Sequence, residues 1–172
     1  FNIGAAICDR WARAEPDRVA ILDYRAEGRP DAITYGELAR RSDAFAAALR
    51  RLGIARGDRV ALLLPQCFET AIAHIAIYKL GAIAVPLALL FGVEALEYRL
   101  QTAGVKAVVT NQAGNGKLAA IRSRLPMLET VVSTGGADAC ALGFDRLVAD
   151  HAGAFQAEDT GPDDPALMIF TS

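Results

Sequence analysis

Little in this sequence supports metal or thiol chemistry. It holds three cysteines, Cys8, Cys67 and Cys140, and two histidines, His74 and His151. The cysteines are odd in number and far apart, with no CxxC spacing. That pattern points to reduced thiols and a cytoplasmic setting. With no Cys/His cluster, no metal site is expected. A charge excess is also missing: 18 Lys and Arg stand against 20 Asp and Glu, a net charge of -2. Nothing here asks for nucleic acid or an anionic membrane as partner. The longest apolar stretches are interrupted by Glu69, His74 and Lys79. No segment reaches the roughly 20 residues of a membrane-spanning helix. Internal repeats, low-complexity tracts and a signal-peptide pattern are likewise not found. The first residue is Phe1 rather than Met, and both ends are expected to be cut points.

What the sequence does have is apolar material in alternating patterns. Its 172 residues are 53% hydrophobic and 22% charged, with a mean hydropathy of +0.25. That is enough for the core of one domain, or of one lobe of something larger. Asn2 is a plausible cap for a helix whose apolar face is Ile3, Ala6, Ile7 and Trp11. Val19 to Leu22 reads as a strand and Glu27 to Pro30 as a turn. Thr34-Tyr-Gly-Glu37 is a capping-box sequence. It opens a helix with an apolar stripe at Tyr35, Leu38, Phe45, Leu49 and Leu52, and with Arg40, Arg41, Asp43, Arg50 and Arg51 on the wet side. Gly53 stops it. Asp58 to Pro65 is a strand apolar on both faces, as in a covered parallel sheet. Cys67 to Leu80 is a helix apolar nearly all round, ended by Gly81. Ala82 to Leu87 is a short strand, with Pro86 marking an end or an edge. Val93 to Thr102 and Gly116 to Leu125 read as helices, and Phe144 to Ala149 as a short one. Lys106 to Thr110 and Thr130 to Thr134 read as strands. His151 to Pro165 is a loop, and Ala166 to Phe170 a last buried strand running into Thr171 and Ser172. This rhythm predicts an α/β fold with a doubly wound, mostly parallel sheet flanked by helices.

Several stretches are candidates for chemistry. Ala113-Gly-Asn-Gly-Lys-Leu-Ala119 holds a loose G-x-G-x-x-A after a strand, the kind of loop that cradles pyrophosphate on helix amides. It comes after several elements rather than in the first turn. No acid ends the following strand, where a ribose hydroxyl would be read. Lys117 does not make it a Walker loop, because Asn111 and Leu118 stand where Gly and Ser or Thr belong. An ordinary connection is the simpler reading. His74, in an apolar helix, reads as a neutral, hydrogen-bonded core histidine rather than a base. Cys67 starts a helix, which favours a thiolate, but without a partner base it reads as structural. His151 reads as solvated, and the paired arginines as a wet helix face. Thr171 and Ser172 either cap the next element or begin a phosphate-binding loop, and only context decides between these.

Four ordered stretches supply that context. They are Ile33-Thr-Tyr-Gly-Glu-Leu38, Tyr78-Lys-Leu-Gly-Ala-Ile-Ala-Val-Pro86, Leu90-Phe-Gly-Val-Glu-Ala-Leu-Glu-Tyr-Arg-Leu100 and Ile169-Phe-Thr-Ser172. Together they resemble the adenylate-forming superfamily, and within it acyl-CoA synthetases of the short- or medium-chain or aryl type. No Asp follows Pro86, which departs from the amino-acid-activating branch. The resemblance implies that residues 1–172 are part of a large N-terminal AMP-binding domain. The remainder of that domain, and a small C-terminal one, would lie outside this sequence. It implies ATP, Mg²⁺ and coenzyme A for the whole enzyme, with a small carboxylic acid as substrate. Thr171 and Ser172 would be the first hydroxyl residues of the ATP phosphate loop. The residues that carry catalysis would lie downstream, so this piece by itself is expected to be inactive. An exposed apolar surface and a homodimer are compatible with such a lobe. A dinucleotide-binding oxidoreductase domain built on Gly114 to Ala119, or a non-catalytic interaction lobe, are the alternatives.

Overall fold

The computed structural model describes residues 1–24 and 30–171. The chain opens with a π-helical turn, Ala5–Asp9, that continues into α1, Arg10–Ala14. Asn2 caps it as expected: its Oδ1 accepts from the Ala5 amide at 3.2 Å. The expected apolar face is displaced, however. Cys8 is fully buried and Ile7 is 48% exposed. The π turn adds a residue to the helical repeat, with the Arg10 amide reaching Ala5 O, and this rotates the face.

β1, Val19–Asp23, and β2, Asp31–Thr34, pair antiparallel as a separate two-stranded ribbon. This is a correction to the expected single sheet, and β2 was not anticipated. A connection this short permits only antiparallel pairing. Most of the expected turn at residues 27–30 lies outside the described residues. Thr34 then caps α2, Tyr35–Arg51, with its Oγ1 accepting from the Glu37 amide at 3.2 Å. The Glu37 carboxylate lies 3.9 Å from Arg41.

Five parallel strands follow: β3 (Arg59–Leu63), β4 (Ile83–Pro86), β5 (Ala107–Thr110), β6 (Thr130–Ser133) and the unanticipated β7 (Leu142–Gly143). Their spatial order is β4-β3-β5-β6-β7. The chain first steps outward from β3 to β4 and then crosses to the other side of β3. That reversal is the doubly wound signature. α3 (Phe68–Lys79) and α2 cover one face, joined by α6 (Phe144–Asp150). There Phe45 and Phe144 stack with centroids 4.5 Å apart. α4 (Val93–Ala103) and α5 (Gln112–Ile121) cover the other face, with Leu96, Leu100 and Leu118 inward. The expected α/β class and its flanking helices are what the structure has.

Asp43 contradicts the simple wet-face reading of α2, because it pairs with a buried lysine of α3. Lys79 is fully buried, with Nζ 2.6 Å from Asp9 Oδ1 and 2.5 Å from Asp43 Oδ1. Asp43 therefore faces inward from α2, and the trio bolts the first three helices together. Removing one member of such a group strands the others, at a cost of about 3–5 kcal/mol. Burial also pushes the neighbouring Cys8 thiol up to about 11, with Lys79 partly opposing it.

The last stretch is a further correction. Ala166–Phe170 was expected to be a strand, but it makes one parallel bridge, Leu167 to Ala84. The Ala84 amide donates to Ala166 O at 3.0 Å, and the Met168 amide to Ala84 O at 2.9 Å. The next outward-facing donor on β4 would be residue 86. Pro86 has no N–H, so the ladder stops there.

Candidate functional site

The carboxyl ends of β3, β4 and β5 and the segment 166–171 point the same way, because all run parallel. In open α/β sheets this end holds ligands. Each strand exit is fixed locally. After β3, Thr70 Oγ1 donates to Pro65 O at 2.7 Å and lies 3.2 Å from Cys67 Sγ. After β4, the Lys117 ammonium donates to Leu89 O and, at 2.8 Å, to Phe91 O. After β5, Asn111 Oδ1 accepts from the Gly114 amide at 3.0 Å.

Alternation governs the incoming segment. Met168 and Phe170 pack into the α4/α5 core, while Leu167 and Ile169 are 45% and 63% exposed on the other face. The Phe170 ring sits 5.8 Å from the Arg99 guanidinium, which lies 4.1 Å over the Phe91 ring. Arg99 Nη1 donates to Ala95 O at 3.0 Å, and Nε is enclosed without a hydrogen-bond partner among the described residues. Arg99 thus joins the loop after β4 to the last residue before Thr171. Thr171 itself is exposed at the end of this segment. Ser172, the other expected loop residue, lies outside the described residues.

The glycine loop does not exist as a loop. Gly114 to Ala119 lie inside α5, which begins at Gln112, four residues earlier than expected. The Asn111 cap starts the helix there and takes up the Gly114 amide, so that amide does not point at a ligand. Gly114 instead allows close packing: a Cβ there would lie 1.9 Å from Thr110 Oγ1. Thr110 Oγ1 in turn donates to Leu63 O at 2.9 Å. The dinucleotide reading loses its geometry with this helix.

A cleft of about 570 Å³ opens at the ends of β3 and β4. Its floor includes Leu62, Leu64 and Leu87, and its walls are β1 and α3. His74 and Cys67 line it, which the sequence did not foretell. Burial lowers the His74 pKa from 6.5, so the ring is neutral. The ring lies 5.7 Å from that of Tyr78. The expected hydrogen bond to it is not present among the described residues. Cys67 caps α3 as a residue, but burial raises its thiol pKa despite the helix start, which suits a structural thiol. His151 is half-buried rather than solvated, with Nδ1 2.9 Å from Leu147 O.

Asp23 and Arg99 were missed as site-region residues, and Lys117, set aside as a Walker lysine, instead holds the loop after β4. Arg99 left a signal: three residues after the buried Leu96, it flanks the apolar face of α4 where a charge is unexpected. Among the described residues no group of three or more His, Cys, Asp or Glu is placed to hold a metal ion. No described helix is long and apolar enough to cross a membrane.

A parallel, doubly wound sheet with Thr171 exposed at its carboxyl edge is an α/β architecture of the kind that binds ligands at that edge. Residues 8–172 match the family described as AMP-binding enzyme, and the chain belongs to that family. It is 32% identical over 171 residues to the long-chain-fatty-acid–CoA ligase FadD13 of Mycobacterium tuberculosis, covering 99% of this chain and 32% of that protein. It is 41% identical over 116 residues to acetyl-coenzyme A synthetase 2 of Candida glabrata, covering 66% of this chain and 17% of that one. The solved acyl-CoA synthetase of Brucella canis superposes with a TM-score of 0.89 at 28% identity, over 100% of this chain and 31% of that one. The chain therefore spans between about a sixth and a third of the length of these relatives.

Proposed function

We propose that residues 1–172 are part of the large AMP-binding domain of an enzyme that joins a carboxylic acid to coenzyme A at the expense of ATP. The acid's carboxylate oxygen attacks the α-phosphorus of ATP, the α–β phosphoanhydride bond breaks, and pyrophosphate leaves. The coenzyme A sulfur, having lost its proton, then attacks the acyl carbon and AMP leaves. Both steps gather negative charge, which must be met by amides, hydroxyls and cations held in place beforehand. Mg²⁺ bound to the ATP phosphates would supply part of that neutralisation, and no step is assigned to a metal ligand of this chain.

One observation carries the reading beyond family membership. The segment 166–171 is laid parallel to β4 by the Ala84 bridge, so its end emerges with the ends of β3 and β5. Thr171, emerging there, and Ser172, next in the sequence, are the residues with which the proposed phosphate loop begins, a loop type that offers hydroxyls and amides without bulk. The catalytic residues of the whole enzyme lie outside this stretch, and this piece alone is inactive. Three free thiols support a cytoplasmic setting. The exposed Leu167 and Ile169 support a homodimer or a further layer of the same protein.

The test is carboxylate-dependent exchange of labelled pyrophosphate into ATP by the complete gene product. Exchange with at least one alkyl or aryl acid is expected, followed by acyl-CoA and AMP formation once coenzyme A is added. Thr171→Ala should lower kcat/KM for ATP by about 10- to 100-fold, in the range of one lost transition-state donor. Absence of acid-dependent exchange removes the reading.

A further inference from the structure

We propose that Arg99 is a positioning residue for the ATP-consuming step: by bridging the rings of Phe91 and Phe170, it sets where the proposed phosphate loop begins. The inference rests on the acid-activating reading above and gives that loop a support outside itself. The backbone leaves a gap that needs one. The ladder to β4 ends with the Met168 amide on Ala84 O, and Pro86 offers no further donor. Among the described residues no backbone hydrogen bond holds residues 169–171. The place of Thr171 is therefore left to the side chains next to it.

Arg99 meets that need from two sides. Its guanidinium lies 4.1 Å from the Phe91 ring centroid and 5.8 Å from that of Phe170, both within reach of cation–π attraction. Nη1 is fixed on Ala95 O of the same helix at 3.0 Å. Phe170 also packs against the α4/α5 core. The Phe91 side is anchored separately, because the Lys117 ammonium of α5 holds Leu89 O and Phe91 O. From α5 to Thr171 the contacts run Lys117, Phe91, Arg99, Phe170. Arg99 Nε is enclosed without a hydrogen-bond partner among the described residues, a state that burial ordinarily disfavours. An aliphatic side chain would fill this place without enclosing an N–H, which points to the flat cation as what the place uses. A loop that grips the departing pyrophosphate is idle once it has left. Attack of the coenzyme A sulfur on the acyl carbon comes afterwards, so the two half-reactions separate positioning of the loop from general support of the fold.

The complete gene product is assayed in both half-reactions, with thermal melting as the check on folding. Arg99→Leu should lower kcat/KM for ATP in acid-dependent pyrophosphate exchange at least about tenfold, as a small misplacement of a reacting group does. Formation of acyl-CoA from supplied acyl-adenylate and coenzyme A should change less than about twofold. Equal losses in the two half-reactions, or no loss in the first, overturn the proposal. Phe170→Leu leaves the guanidinium in place and should show the same split. Phe170→Tyr keeps the ring and should stay within about twofold of wild type. Unchanged exchange in Phe170→Leu overturns the proposal, because Arg99 then acts without the ring; so does a Tyr variant as impaired as the Leu variant. The double variant Arg99→Leu, Phe170→Leu should lose no more than about twofold beyond Arg99→Leu, and losses that multiply overturn the bridge. Should Arg99→Leu not fold, the two Phe170 variants decide by the same criteria. Failure of the acid-activating reading looks different: the wild-type protein would then show no exchange with any acid.

Discussion

At the residue scale, His74 shows how burial rather than sequence sets chemistry. Its ring shares the cleft with Cys67 and Asp23, and desolvation lowers its pKa from 6.5. The sign follows from proton counting. Between the folded value and 6.5 the unfolded chain binds more protons, so stability falls as pH drops through that window. Asp43 runs the other way, because burial raises its carboxyl above 3.8. Protonation relieves it, so this group favours the fold as pH falls through its raised value. His74→Leu removes only the first effect. The stability of wild type relative to this variant, from urea unfolding, is expected to be level above about pH 7 and to decline below about 6.5. A level difference down to about pH 5 would show that the ring titrates normally. The sequence disclosed a histidine in an apolar helix and hence its neutrality. It did not disclose the missing hydrogen bond or the cleft. Those depend on β1, a ribbon brought in from elsewhere in the chain.

At the element scale, α5 is the instructive helix. Local signals placed its start at Gly116, because two glycines read as a loop. Asn111 is a strong cap, and it wins by starting the helix before either glycine. The two glycines then have opposite roles. A methyl at Gly114 would collide with Thr110 Oγ1, which is tied to Leu63 O, while at Gly116 nothing lies within 4 Å. Gly114→Ala is therefore expected to destabilise by about 1–3 kcal/mol, as overpacking does. Gly116→Ala should stabilise by about 0.5–1 kcal/mol through helix propensity. At this chain length each kcal/mol moves Tm by about 2–4 °C, so thermal melts of the two variants should part in opposite directions. Equal shifts would mean that α5 does not pack on β5 as described. Caps, glycine stops and the apolar stripe of α2 were legible because each is a local event. The π turn before α1 was not, since a rotated face leaves no mark in a 3.6-residue pattern.

At the scale of the whole molecule, the outer side of the 166–170 segment is open. Leu167 and Ile169 are exposed there, and Pro86 stops the ladder after a single bridge. An apolar edge with unpaired backbone groups is a site for association. The isolated 172-residue polypeptide is expected to self-associate, and Ile169→Lys to shift it toward monomer in sedimentation velocity. An unchanged distribution would place the contact elsewhere. α3 carries the same message: it is apolar nearly all round, as in helices enclosed on every side.

The sequence by itself determined most of the helices, the central strands β3 to β6, the parallel class and the family, since these follow from periodicity, caps and motif order along the chain. Only the tertiary structure decided that β1 leaves the main sheet and that Lys79 lies buried between two aspartates. It also decided that a cleft opens at the ends of β3 and β4. Each of these depends on contacts between residues far apart in the chain. Their free energies are set by burial and close approach, which a one-dimensional pattern does not carry.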